Sequence, residues 1–178
     1  MEVALIIILV LIFVVLIVFI IRNNFQKIER IKYLAAAGNI LREDFLNYSL
    51  ENPFLNDSSQ KEPRGKKMMI YLKSKSDKNS RFVFDPEKGI SLGRDKYNSN
   101  IFLNDITVSQ NHCLIYSIDD HVFLKDCNSS NGTIVSRGAF QKYTLAAGSE
   151  IELMTKDKII IGSVAFVVTL FYYDILTM

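Results

Sequence analysis

Val3 to Ile21 is a run of nineteen consecutive residues drawn only from Val, Ala, Leu, Ile and Phe. No other feature of the chain restricts its folding so strongly. As a helix rising about 1.5 Å per residue, such a run covers roughly the 30 Å hydrocarbon core of a bilayer. A cleaved secretory leader opens with a basic stretch, has a shorter apolar core and ends in a small-residue cleavage site. Here only Met1 and Glu2 precede the run, and Arg22, Lys27, Arg30 and Lys32 follow it. Basic residues flanking a span favour the cytoplasmic side, so the reading is a single membrane-spanning helix over residues 1–22, with the N-terminus outside and the bulk of the chain cytoplasmic. The competing reading is a buried core element of a soluble protein.

Residues 23–50 change to a helical period. Ile31, Leu34, Gly38, Leu41, Phe45 and Tyr48 follow one another at spacings of three and four, which places them on one stripe. The stripe is too short for a convincing coiled coil. It fits a dimerisation or membrane-complex contact through residues 31–48, or a helix packed on its own domain or on lipid. Asn52-Pro53 predicts the end of this helix. Residues 51–67, with the polar stretch NDSSQKEPRGKK, read as a solvated linker.

Beyond it the period becomes two. Runs such as MMIYL, RFVF, ISLG, NIFL, CLIYSI, VFLK, TIV, EIELM, KIIIG and VAFVVTLFYY recur at short intervals between Asn, Asp, Gly and Ser clusters. This predicts an all-β sandwich over residues 68–173, followed by a tail of residues 174–178, with no βαβ alternation. The apolar stretch from Ile159 to Tyr173 is interrupted by Gly162 and Ser163, which predicts two buried strands about a turn rather than a second span.

The chain's 178 residues carry a net charge of +2, and residues 68–178 hold twelve basic and twelve acidic side chains. A neutral domain lacks the basic field that nucleic-acid binding relies on. Cys113 and Cys127 are too few for a disulfide framework and lack CxxC spacing, so they read as reduced core thiols. No GxxxxGK or HExxH is present, and His112 and Cys113 are strand neighbours facing opposite ways, a poor metal pair. No enzyme, metal or cofactor is expected.

Three loop motifs remain: Gly93-Arg94, Ser109-Gln110-Asn111-His112 and Ser130-Asn131-Gly132-Thr133. Singly each has an ordinary explanation. Arg94 and Asp95 can form an exposed ion pair, Ser109 can cap a turn, and Asn-Gly is a common hairpin dipeptide. In a sandwich, however, alternate turns gather at one end, so the three can converge to present a guanidinium, hydroxyls and an amide to a phosphate and an adjoining peptide backbone.

From about Met68 to Tyr173 the chain resembles the forkhead-associated (FHA) family of phosphothreonine-binding modules. The resemblance is carried by SLGRD, NIFLNDITVSQNH, VFLKDCNSSNGTIV, LAAGSEIEL and IIIG in series. It implies two antiparallel sheets of about 11 strands in all. It further implies that Arg94, Ser109, Ser130 and Asn131 bind the phosphopeptide, Arg94 and Ser109 at the phosphate, Ser130 close to the ligand and Asn131 at the peptide main chain. Gly93, His112 and Gly132 would support the site, with Lys96 and Gln110 as accessory positions. Many members carry Arg or Lys where this chain has Gln110, which lowers the expected positive charge. The implied role is a membrane-anchored adaptor that recruits a partner phosphorylated by a Ser/Thr kinase. The rival reading is a phosphate-independent structural subunit of a membrane assembly.

Overall fold

The structure is a computed structural model that describes residues 2–51, 65–77 and 79–175, without the side chains of Phe45 and of residues 48–51. Helix α1 runs unbroken from Glu2 to Glu51. The apolar run and the amphipathic segment, expected as separate helices meeting near residue 22, are one element. Arg22, Asn23 and Asn24 bring neither proline nor glycine to interrupt the hydrogen-bond ladder. Residues up to Ala36 form one compact unit and those from Ala37 another. Within the first unit, Val3 to Ile21 are exposed throughout, on a helix long and apolar enough to cross a membrane. The expected helix stop at Asn52-Pro53 and most of the expected linker lie outside the described residues.

In the second unit eleven strands form two sheets. They are β1 (Lys66–Ser74), β2 (Arg81–Phe84), β3 (Ile90–Gly93), β4 (Ile101–Phe102), β5 (Cys113–Ile118), β6 (His121–Asp126), β7 (Thr133–Arg137), β8 (Gln141–Leu145), β9 (Glu150–Glu152), β10 (Lys158–Ile161) and β11 (Val164–Asp174). One sheet has the order β2-β1-β11-β10-β7-β8 and the other β4-β3-β5-β6-β9. Pairing is antiparallel except between β3 and β4, which run parallel. The apolar stretch from Ile159 to Tyr173 is the β10–β11 hairpin, turned at Gly162 with φ +56°.

Period-two patterning explains the core. Ile70, Leu72, Phe166 and Val168 meet Ile90, Leu92, Ile115 and Leu124 between the sheets. Strand β1 departs from simple alternation because Met69 and Tyr71 on its other side are buried too. Met69 is covered by Ala37 and Leu41 of α1, with Val83, Phe171, Tyr173 and Ile175 packed around them. Part of the 31–48 stripe therefore closes the outer face of the chain's own sheet. Gly38 permits the close approach, since a Cβ there would lie 2.6 Å from the Tyr173 hydroxyl oxygen. Leu41→Ala is expected to cost about 2 kcal/mol and to speed hydrogen exchange in residues 37–44 more than in the sandwich core.

Two boundaries and one cysteine differ from expectation. Lys66 and Lys67, placed in the linker, begin β1, and the Lys67 ammonium lies 2.7 Å from Asp85 and 3.0 Å from Glu87. Asp174, placed in the tail, ends β11. Cys113 is a core thiol, and burial pushes its pKa well up, but Cys127 is only half-buried; both are free.

Candidate functional site

The three loop motifs meet at one end of the sandwich through hydrogen bonds between backbone and side chains. After β3 the Arg94 N–H donates to the Ser109 carbonyl at 2.9 Å, and the Asp95 N–H to the Gln110 carbonyl at 3.2 Å. Gly93 makes this approach possible: a Cβ there would lie 2.0 Å from the Gln110 carbonyl oxygen. The Arg94 side chain follows the same direction. Its Nε donates to the Val108 carbonyl at 3.0 Å, and the guanidinium has no acidic partner among the described residues. The suggested Arg94–Asp95 ion pair does not form. Asp95 instead caps its own turn, accepting from the Tyr97 N–H at 2.9 Å and from Asn98 Nδ2 at 2.7 Å, bonds that hold its carboxyl below the usual range.

Ser109 joins the second loop to the third. Its Oγ accepts the Ser130 N–H at 3.0 Å and lies 3.5 Å from the Ser130 Oγ. The Ser109 hydroxyl proton, directed at the Ser130 Oγ over this long 3.5 Å contact, can rotate to a ligand instead. His112, fully buried, braces the same junction. Its Nδ1 accepts the Ser109 N–H at 3.1 Å, so Nε2 carries the proton and donates it to the Gly132 carbonyl at 3.2 Å. Gly132 has φ +74°, a conformation that disfavours a side chain, and its turn leads into β7.

Asn131 is placed at the rim, but its amide is already engaged: Nδ2 donates to the Thr107 carbonyl at 2.7 Å. This ties the third loop to the second and leaves Oδ1 and the second Nδ2 hydrogen open to a ligand. Lys96 lies in the exposed turn after Arg94 with no bond to the junction, and Gln110 lines a neighbouring depression rather than the Arg94–Ser109 junction. Arg94, Ser109, Ser130 and Asn131 are thus brought together, and neither accessory side chain bonds to them among the described residues.

Two acidic residues not singled out from the sequence hold the loops. Asp105 accepts from the Thr107 N–H at 2.8 Å and Oγ1 at 2.6 Å, and from the Ser163 N–H at 2.9 Å, which pins the second loop to the β10–β11 turn. Hydrogen bonds led by the Ser163 hydroxyl hold its carboxyl far below the usual range. Asp126, fully buried at the end of β6, accepts from the Ser129 N–H at 2.8 Å, the Ser129 Oγ at 2.6 Å and the Thr133 Oγ1 at 2.7 Å. Its legible signal is an acid followed at three and seven residues by hydroxyls across an Asn-Gly turn.

A guanidinium whose terminal nitrogens make no bond among the described residues stands with two hydroxyls in a hydrogen-bonded loop frame, groups chemically suited to an anion, at one end of an eleven-stranded sandwich. The FHA domain profile matches residues 90–154. The glycogen accumulation regulator GarA of Mycolicibacterium smegmatis is 31% identical over 121 residues, 65% of this chain and 74% of its own length. The oxoglutarate dehydrogenase inhibitor of Corynebacterium jeikeium is 34% identical over 91 residues, 51% of this chain and 61% of its own. The chain therefore spans less than two thirds of that relative. A solution structure of the FHA domain of an Arabidopsis thaliana hypothetical protein shares the fold, with a TM-score of 0.50 and 18% identity over 66% of this chain and 94% of that one. The chain belongs to the FHA-domain family, which comprises phosphopeptide-binding modules rather than enzymes.

Proposed function

We propose that this chain is a membrane-anchored adaptor. Its apolar helix holds it in the cell membrane with the N-terminus outside, and its cytoplasmic sandwich recruits a protein phosphorylated on threonine by a Ser/Thr kinase. The observation that carries the reading is the cradle: Arg94 braced on the Val108 carbonyl, beside Ser109 and Ser130, whose hydroxyl oxygens stand 3.5 Å apart. A phosphate placed there takes two guanidinium N–H bonds and two hydroxyl protons, and the Asn131 Oδ1 accepts a main-chain N–H of the peptide. The two relatives named above, a regulator and an inhibitor, are in keeping with a role exerted by binding. Anchoring raises the effective concentration of the domain toward other membrane proteins, so a modest peptide affinity suffices.

The test is titration of the full chain in lipid nanodiscs with a degenerate phosphothreonine peptide pool and its unphosphorylated counterpart. Arg94→Ala is expected to weaken phosphopeptide binding by roughly ten- to hundredfold, the effect of losing a charge-assisted bond of about 1.5 to 3 kcal/mol. Protease digestion of right-side-out and inverted vesicles checks orientation, with the sandwich cleaved only in the inverted ones. A second reading, a structural subunit that docks without phosphate, draws on the Asn131 amide being already bound to Thr107. Equal binding of both pools, unaffected by Arg94→Ala, would establish it instead.

A further inference from the structure

Beside the cradle lies a depression of mixed polar and apolar surface whose wall includes Asp95, Asn98, Ser99, Gln110 and Asn111, with Leu114 and Cys127 also lining it. We propose that it is a second subsite for the phosphopeptide and that it takes a basic side chain, Lys or Arg, a few residues from the phosphothreonine. The proposal rests on the adaptor reading above and adds a sequence preference to it.

Three observations carry it. The first is adjacency. Each of the two loops places one residue in the cradle and the next in the depression: Arg94 then Asp95, and Ser109 then Gln110. Backbone bonds of 2.9 Å between Arg94 and Ser109 and 3.2 Å between Asp95 and Gln110 fix them side by side. A peptide that leaves Arg94 and Ser109 toward Asp95 and Gln110 reaches the depression within a few residues.

The second is charge. Asp95 is the one carboxylate among the lining residues, and no Lys or Arg lines the site. Gln110 is neutral, and among the described residues the Lys96 ammonium makes no bond to Asp95. The carboxylate thus makes no ion pair among the described residues. Oδ2 is engaged only by Asn98 Nδ2, so it retains a lone pair for a cationic donor.

The third is the surrounding chemistry. Gln110 and Asn111 line the same depression, and their amides carry neutral acceptor oxygens that suit the several N–H donors of an ammonium or guanidinium. Leu114 supplies apolar surface for the methylene stem of such a side chain, which lies along carbon while its head reaches polar atoms.

The experiment uses the full chain in nanodiscs and a peptide pool with one fixed phosphothreonine and randomised flanks, read by sequencing the retained peptides. The expected result is enrichment of Lys and Arg over Asp and Glu by about three- to tenfold at one or two positions within four residues of the phosphothreonine. Asp95→Asn keeps the turn-capping oxygen and removes the charge, so it is expected to abolish this enrichment while the pool is still retained. Asn111→Lys alters an exposed wall residue and delivers a cation instead, and is expected to reverse the preference toward Asp and Glu. Retention of the pool without basic enrichment, or enrichment unchanged in both variants, overturns the subsite and leaves the adaptor reading standing. Failure to retain any phosphopeptide overturns both.

Discussion

Gly93→Ala is expected to reduce phosphothreonine-peptide binding by more than a hundredfold and to lower stability by about 3 kcal/mol, at the upper end of overpacking penalties. The added methyl group would sit 2.0 Å from the Gln110 carbonyl oxygen and 2.8 Å from its carbonyl carbon. These are backbone atoms, so no rotamer change relieves the overlap, and the loop of residues 107–112 must move away from the end of β3. That displacement breaks the Arg94 N–H to Ser109 bond and withdraws the Val108 carbonyl that holds the Arg94 guanidinium. One methyl group thereby dismantles an arrangement whose members it does not touch. Urea unfolding and peptide titration on the same preparation check the two parts of the result. Binding unchanged within threefold would show that the loop tolerates displacement and that the cradle as described is not the binding site.

Asp126→Ala is expected to cost about 4 kcal/mol, because it removes the shared acceptor of three donors and leaves the buried Thr133 hydroxyl without its partner. Burial pushes the Asp126 carboxyl up, but hydrogen bonds from the Ser129 and Thr133 hydroxyls and the Ser129 amide outweigh it, and the folded pKa lies below the ordinary value. A depressed folded pKa contributes stability that is full above the unfolded pKa, about 3.9, and is lost as pH falls through that value toward the folded one. Stability of the wild type between pH 7 and pH 3 should therefore fall more steeply than that of Asp126→Asn. Asp77, Asp95 and Asp105 are shifted in the same direction, so the difference between the two proteins, rather than the acid limb itself, reports Asp126. Parallel curves would show that the buried carboxylate adds nothing that an amide cannot supply.

Much of the architecture is legible because it depends on local pattern. An unbroken apolar run can only be a helix or a buried strand pair, and alternation with turn residues declares the strands. The exception is instructive. Strand β8, Gln141–Leu145, escaped the reading because four of its five residues are exposed at a sheet edge and carry no apolar alternation. The stripe from Ile31 to Tyr48 showed which side of the helix is apolar but not what covers it. Ala37 and Leu41 meet Met69, and nothing in a helical period discloses a partner more than twenty-five residues away. At the candidate site, Arg94, Ser109, Ser130 and Asn131 were identifiable as a set through their order along the chain. The bond from Asn131 to Thr107 and the pin from Asp105 to Ser163 were not, since each links loops 24 and 58 residues apart whose meeting is a product of the finished fold.

The outermost rung between β1 and β11 pairs Lys66 with Asp174. Antiparallel partners lie about 5 Å apart between Cα atoms, so the polypeptide comes into the sandwich and departs from it at nearly the same point. A module with neighbouring ends can be spliced into the loop of an unrelated host without prising that host apart. The same adjacency makes residues 66–174 a natural candidate for circular permutation, with new ends opened at an exposed turn such as Gly138-Ala139 and the old ones joined by a short bridge.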